Sequence, residues 1–541
     1  MTCGMASEAD ATPAPAADAA GTSSERTLTL LLASAMFILV VDTSFMNVSI
    51  SAVVHDLGTT ASNVQSTIAL EALVSAAFIL IGGRVADLIG RRRAYVIGLL
   101  AYAAGALSMV LSQSLAPVII FWAVIGGLGA SLLLPSMQAL VHGNFTGDAQ
   151  KRAYAAIGAA AAVAAAVGPL LGGFITTYLS WRVAFGLEDV VIIVIMLRIR
   201  LLRDVEYTGP RGIDVVGSLL SVVGMGAVVL GILVWQEGGD WVVALIAIGL
   251  ASLFGLARWL VRRKREEKTA LLDPGLFRSR VFRYGVSAQT LQQITLGGTM
   301  IALPIYLQMV LQYNALESGL SLAPLSLSMF VVALAVGRRK PKRRASSLVR
   351  AGFALVLIGL AALIPIVPRA TSGWYLVVPL LVMGCGLGLL VSRLNAYTLA
   401  PISEELVSEA AGVNSAGGSF GLSFGLAFAG AIMLWTLSAS FTAMANDSTV
   451  LNASQQQQVA KSLEHDAEVM SNATLQKQLQ GQPPAVQQEI LDINTDASHR
   501  ALQVALLVPL LAALLGLLNS FRMLREPEPT PSSAGENIVM G

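Results

Sequence analysis

Gly83-Arg84-Val85-Ala86-Asp87-Leu88-Ile89-Gly90-Arg91-Arg92-Arg93 separates two long apolar runs, and its charges decide how the chain is housed. One carboxylate and four arginines on a turn this short mark a loop that stays on the untranslocated side of a membrane, because Lys and Arg accumulate there. The rest of the composition agrees. Hydrophobic residues make up 55% of the 541 residues and charged residues 13%, about half the charged share of a soluble domain. Lipid must cover the excess, so the chain reads as an all-α polytopic membrane protein.

Working outward, apolar runs of about 18 to 25 residues, bounded by charges or Gly/Pro breaks, predict fourteen transmembrane helices. They lie near 27–52, 64–84, 94–112, 117–140, 152–178, 183–202, 213–235, 241–262, 283–310, 319–337, 348–368, 374–399, 409–440 and 500–521. With the amino terminus inside, the cytoplasmic loops carry Arg91 to Arg93, Lys151 and Arg152, Arg203 and Arg211, Arg262 to Arg265 with Lys268, and Arg338 to Arg344. The outer loops hold little beyond Arg182 and Arg369, so the positive-inside rule selects this orientation and an even number of spans. A thirteen-helix reading would invert the second half and put the Arg338–Arg344 cluster outside.

The second helix ends in Gly82-Gly83-Arg84 and a basic loop, and the helix at 319–337 ends in Gly337-Arg338-Arg339-Lys340 and another. This echo predicts two six-helix bundles, built as repeated halves. The expected divisions are a disordered cytoplasmic leader at 1–26, an N-terminal bundle at 27–202, an inserted helix pair and linker at 203–282, and a C-terminal bundle at 283–521. A polar external segment at 441–499 interrupts the last, as a cap over the exit or a solvated connector, and a cytoplasmic tail follows at 522–541. Cys3 and Cys385 lie in different settings and are not expected to pair.

Few polar residues lie inside the runs, and each asks for a reason. Asp42, in the middle of the first helix, costs several kcal/mol if ionised in hydrocarbon, so it must face a cavity, find a partner or take a proton. Glu71 sits seven residues into the second helix at a comparable depth, and two such carboxylates share protons or attract a cation. Glu188 and Asp189 lie near the outer end of the sixth helix, where a carboxylate reaches water cheaply; Glu188 is also a candidate for the cavity wall. Gln289, Gln292, Gln293 and Gln308 could line that cavity or join helices by hydrogen bonds. At the cytoplasmic turn, Gly83, Asp87, Gly90, Arg91 and Arg92 form a candidate gate. Asp87 would pair with the arginines and with the positive end of a helix in the other half, the helix after Ser403-Glu404-Glu405.

The Gly83–Arg93 string, with Val85 at the usual Leu position and Leu88 where a basic residue is common, resembles the loop between helices 2 and 3 of the major facilitator superfamily. Asp42-Thr43-Ser44-Phe45-Met46-Asn47-Val48 resembles the D-x-T-x-x-N-V motif of its fourteen-helix drug:proton antiporter branch, and the resemblance covers almost the whole chain. It implies the major facilitator fold, proton coupling at Asp42, and an antiporter kink at Gly168, Pro169, Gly172 and Gly173, which match G-P-x-x-G-G. Three positions depart from the branch. Glu71 replaces an aromatic, Ser66 a Trp, and Ala123 stands where an intramembrane Arg is usual. Coupling would then run through Asp42, Glu71 and Glu188 or Asp189.

The expected function is proton-coupled efflux of amphipathic or cationic small molecules by alternating access; alternatives are a lipid or metabolite exporter and a non-transporting scaffold or sensor. The expected setting is the cell membrane, multi-pass, with both termini cytoplasmic, in a bilayer-embedded monomer. Protons are the coupling ion. No catalytic residue, metal site, organic cofactor or nucleic-acid partner is expected, and without a Walker-type loop ATP is not the driver.

Overall fold

The computed structural model describes residues 17–204, 212–236, 239–337, 344–403, 406–452, 456, 475–477 and 479–527. The expected leader residues 1–16, Arg211, the Arg338 to Arg343 cluster, Glu404, Glu405, most of 453–478 and the tail beyond 527 lie outside the described residues.

Among the described residues, fourteen long helices form the protein. They are α1 (Ala17–Val48), α2 (Ala61–Ile89), α3 (Arg91–Leu111), α4 (Leu115–Asn144), α5 (Gly147–Tyr178), α6 (Trp181–Leu197) and α7 (Val215–Gln236). They continue with α8 (Val242–Arg265), α9 (Arg280–Val310), α10 (Ala315–Gly337), α11 (Ala345–Ile366), α12 (Gly373–Leu399), α13 (Val407–Asp447) and α14 (Pro484–Arg525). Thirteen are long and apolar enough to cross a bilayer by length and composition. The other, α6, has 17 residues; one 3₁₀ turn, Ile199–Leu201, extends it to about 30 Å, enough to span.

The element ends differ from the sequence reading where polar residues are helical. The first helix begins at Ala17, ten residues inside the expected leader, and stops at Val48 before a separate helix, Ile50–Leu57, that ends on Gly58 at φ +58. The expected external segment is helical at both ends: α13 runs on to Asp447 and α14 starts at Pro484. Hydropathy alone underestimates α13 and α14, because buried residues such as Phe441, Ala445, Val486 and Ile490 hold their polar ends.

The packing repeats. In the first half α1 packs on α5, α4 on α2 and α3, and α6 on α3; in the second α9 packs on α13, α12 on α10 and α11, and α14 on α11. Each pair recurs eight helices later. The halves meet along α2 with α13 and α5 with α10, the exchange-related pairs of one pseudo-twofold. The inserted helices pack on each other, and α7 also leans on both α2 and α13. Asp214 anchors them, accepting from Gly217 N at 3.0 Å, Leu271 N at 3.2 Å and Trp259 Nε1 at 2.9 Å.

Candidate functional site

The first half buries a carboxylate cluster. Asp42 is 1% exposed, yet α3 and α4 each bring it a donor. The Tyr102 hydroxyl donates to Oδ2 at 2.6 Å, and the Trp122 indole to both oxygens at 3.1 Å. Charge-assisted bonds of this kind contribute about 1.5–3 kcal/mol each, which offsets much of the several kcal/mol needed to bury the anion. Trp122 stands there because Val118–Gly126 is π-helical. The wider turn re-aims side chains within a spanning helix, a departure common at functional sites.

Glu71 of α2 is half-buried and close enough to feel the charge of Asp42. Ala123, fully buried, follows Trp122 and brings no charge. Glu188 corrects the interfacial expectation, being 3% exposed. It shares the buried stripe of α6 with Trp181, Ala184, Phe185, Ile192 and Ile195, and neither carboxylate oxygen accepts a hydrogen bond among the described residues. The reason is geometric: Glu188 is two turns inside α6, about 10 Å from its start, on the face that meets Trp122 through Phe185, ring centroids 6.4 Å apart. Asp189, one residue on, is only partly buried.

The kink motif joins this cluster to the other half. α5 runs unbroken through Pro169. A Cβ on Gly168 would stand 2.6 Å from Ser44 Cβ, and one on Gly172 2.8 Å from the Phe45 ring, so both let α5 lie against the turn of α1 next to Asp42. Gly173 faces the other way, where a Cβ would meet the Ala315 carbonyl of α10 at 2.6 Å. Gly319 of α10 abuts the Pro169 carbonyl in turn. The Leu316 amide donates to Thr177 Oγ1 at 3.0 Å, closing the seam.

Gln308 takes the second of its two expected roles, joining helices by hydrogen bonds as a clasp between the halves. It is buried, donates to Asn47 O at 3.1 Å and accepts from Ser51 N at 2.9 Å, because a π-helical turn over Tyr306–Val310 swings it toward α1. Gln289 and Gln293 lie against Gly418 of α13, while Gln292 and Gln293 each keep a buried amide oxygen without a partner among the described residues. Gln289 and Gln293 therefore sit between α9 and α13.

At the basic end, the gate keeps one expected pair, Asp87 with an arginine of its loop, and differs in the link between the halves. Asp87 pairs with Arg91 in its own turn at 3.4 Å, and the bridge between halves is made by Arg84, 3.2 Å from Glu409 near the start of α13. Arg84 also donates to the Ala270 and Leu271 carbonyls at 3.4 Å, and Glu409 accepts from the Asp273 amide, so the α8–α9 linker joins the same knot. Asp87, four residues nearer the loop, pairs locally at i,i+4 spacing. Gly90 sits at φ +100, and Asp204 occupies the space a Cβ would need, 2.8 Å away, while accepting from Arg92 N at 3.1 Å. Gly83 has room, its nearest neighbour being Pro135 Cβ at 3.6 Å; Gly82 is the tight contact, against the Ser131 carbonyl of α4.

The sequence reading missed Tyr102, Trp122, Arg84 and Glu409 as members of these sites. An acid in an apolar run advertises its cost, but the residue that solvates it comes from a distant helix and carries no local signal.

The model of the major facilitator superfamily matches residues 32–222 and 212–426. Among curated relatives, the puromycin resistance protein pur8 of Streptomyces alboniger is 31% identical over 73% of this chain and 79% of its own length. The cephamycin export protein CmcT of Amycolatopsis lactamdurans is 30% identical over 76% and 86%, and the multidrug transporter protein MdtP of Bacillus subtilis 26% over 74% and 75%. A solved structure of a bacterial homologue of the human lysosomal transporter Spinster shares the fold, with a TM-score of 0.58 at 12% identity over 93% of this chain and 98% of that one. Two packed halves, their repeated helix pairs and a match across both halves lead to one assignment: the chain belongs to the major facilitator superfamily, in its fourteen-helix drug-exporter branch.

Proposed function

We propose that the protein exports small amphipathic molecules, organic cations among them, across the cell membrane in exchange for protons. The observation that carries this reading is the contact chain from Asp42 through Ser44 and Phe45 to Gly168 and Gly172, and from Gly173 to Ala315 in the other half. A change of charge at Asp42 alters the packing that α1 presents to α5, and α5 is half of one seam along which the bundles rock. The basic end then faces the cytoplasm, with both termini, by the distribution of Lys and Arg. Its Arg84–Glu409 bridge holds that end of the α2–α13 seam, and at the opposite end of the bundle Gln308 of α9 and Thr177 of α5 make the bonds between the halves.

The relatives' names support small-molecule export, and the acidic cluster, with only neutral donors from Tyr102 and Trp122, favours a cationic cargo. A second reading, export of a metabolite the cell itself makes, is favoured by the similarity to the cephamycin exporter. The test is transport by the purified protein in proteoliposomes as a monomer. An imposed pH gradient should drive ethidium or puromycin uphill in the wild type and not in Asp42→Asn. Equal uphill transport in both would refute proton coupling at Asp42.

A further inference from the structure

Two fully buried carboxylates of the first half, Asp42 and Glu188, are treated differently by their surroundings. Asp42 receives hydrogen bonds from Tyr102 and Trp122, whereas Glu188, equally shut off from solvent, receives none among the described residues. An anion in such a place without donor or counter-charge costs far more than the fold of a transporter can tolerate. The charged groups acting on Glu188 make matters worse, since both are acidic: Asp42 from α1 and Asp189 from its own helix. From α3, the Tyr102 hydroxyl lies within the field of Asp42, Glu71 and Glu188 together. Between Tyr154 and Tyr178, α5 has no titratable residue. The oxygens of Glu188 are sealed from solvent, so the one counter-charge that fits without moving a helix is a proton.

We propose that Glu188 is a second proton-binding carboxylate of the transport cycle, loaded with Asp42 as the bundles rock, so that two protons enter for each singly charged cation that leaves. This rests on the export reading above and adds its stoichiometry. Asp42, solvated by two protein donors, can release its proton while still buried. Glu188 has no such donors, so it releases its proton only when α6 and α3 part enough to admit water. Charge balances as two positive charges inward against one outward, a net inward movement of one.

The experiment uses proteoliposomes with ethidium as the singly charged probe, and protein-free vesicles as the baseline. With two protons exchanged, an imposed potential of about 100 mV should change the steady-state ethidium gradient about 50-fold. Each unit of pH gradient should change it about 100-fold. Glu188→Gln, similar in shape but without the charge, should still transport, yet lose the voltage response and fall to about 10-fold per pH unit. Glu188→Asp should retain both wild-type responses. A Glu188→Gln protein with unchanged voltage dependence overturns the proposal while leaving export intact. A Glu188→Gln protein that cannot be recovered folded overturns it too, by showing a carboxylate needed for structure. Wild-type protein that moves no ethidium above the baseline under either gradient refutes the cation-export reading and the proposal with it.

Discussion

Replacing Gly173 by Ala should prise apart the α5–α10 seam at the end opposite the basic loop. The added Cβ would lie 2.6 Å from the Ala315 carbonyl and 2.9 Å from Leu316 Cα. Both are backbone atoms of α10, which cannot rotate away as a side chain would, so the helices must separate by about 0.8 Å to regain ordinary contact at 3.4 Å. Overpacking of this order costs about 1–3 kcal/mol. The penalty falls on the conformation in which these ends touch, and is absent where they part. The population therefore shifts about 5- to 150-fold toward the state open at that end. In a background with Cys3 and Cys385 replaced by Ser, a cysteine at Ser49, 1% exposed and hydrogen-bonded to Thr176 at 2.7 Å, reports the opening. Its reaction with a membrane-impermeant maleimide should accelerate by that factor while net transport slows. An unchanged labelling rate with wild-type transport would refute the argument that this seam is a moving contact.

Other outcomes follow from the same geometry. Tyr102→Phe leaves Asp42 with the indole alone, and losing about 1.5–3 kcal/mol in the ionised state should lower turnover about 10- to 150-fold; a Km effect larger than the kcat effect would argue against it. Arg84→Gln and Glu409→Gln remove a bridge whose side chains are both 20% exposed, so solvent screening limits each to about 1 kcal/mol and turnover to a change of about fivefold. The exchanged pair Arg84→Glu with Glu409→Arg should recover part of it in the same transport assay. Gly82→Ala should cost far more thermal stability than Gly83→Ala, because Gly82 meets the Ser131 backbone and Gly83 has 3.6 Å of clearance; equal melting temperatures would contradict the packing. Gly90→Ala combines a left-handed φ of +100 with the Asp204 contact, and should lower stability by about 1–2 kcal/mol from backbone strain alone.

The amino-acid sequence by itself determined that the chain is a bundle of apolar helices in lipid, and that two halves repeat. Those properties live in hydropathy and in the spacing of basic turns, which are local and survive in one dimension. It also exposed Asp42, Glu71 and the Gly168–Gly173 motif, because an acid or a Gly/Pro run inside an apolar stretch is conspicuous wherever it falls. The tertiary structure alone decided which faces those residues present. α6 carries apolar residues on every face, with Val183, Leu187, Val190 and Val194 exposed and Phe185, Ile192 and Ile195 buried. No periodicity therefore distinguishes its lipid face from its core face, and Glu188 could not be placed. The partner of Glu409 is 325 residues away along the chain, and Tyr102 and Trp122 are 60 and 80 residues from Asp42. Their meeting depends on helix register and on a π-helical turn, both fixed by packing between helices after each has formed.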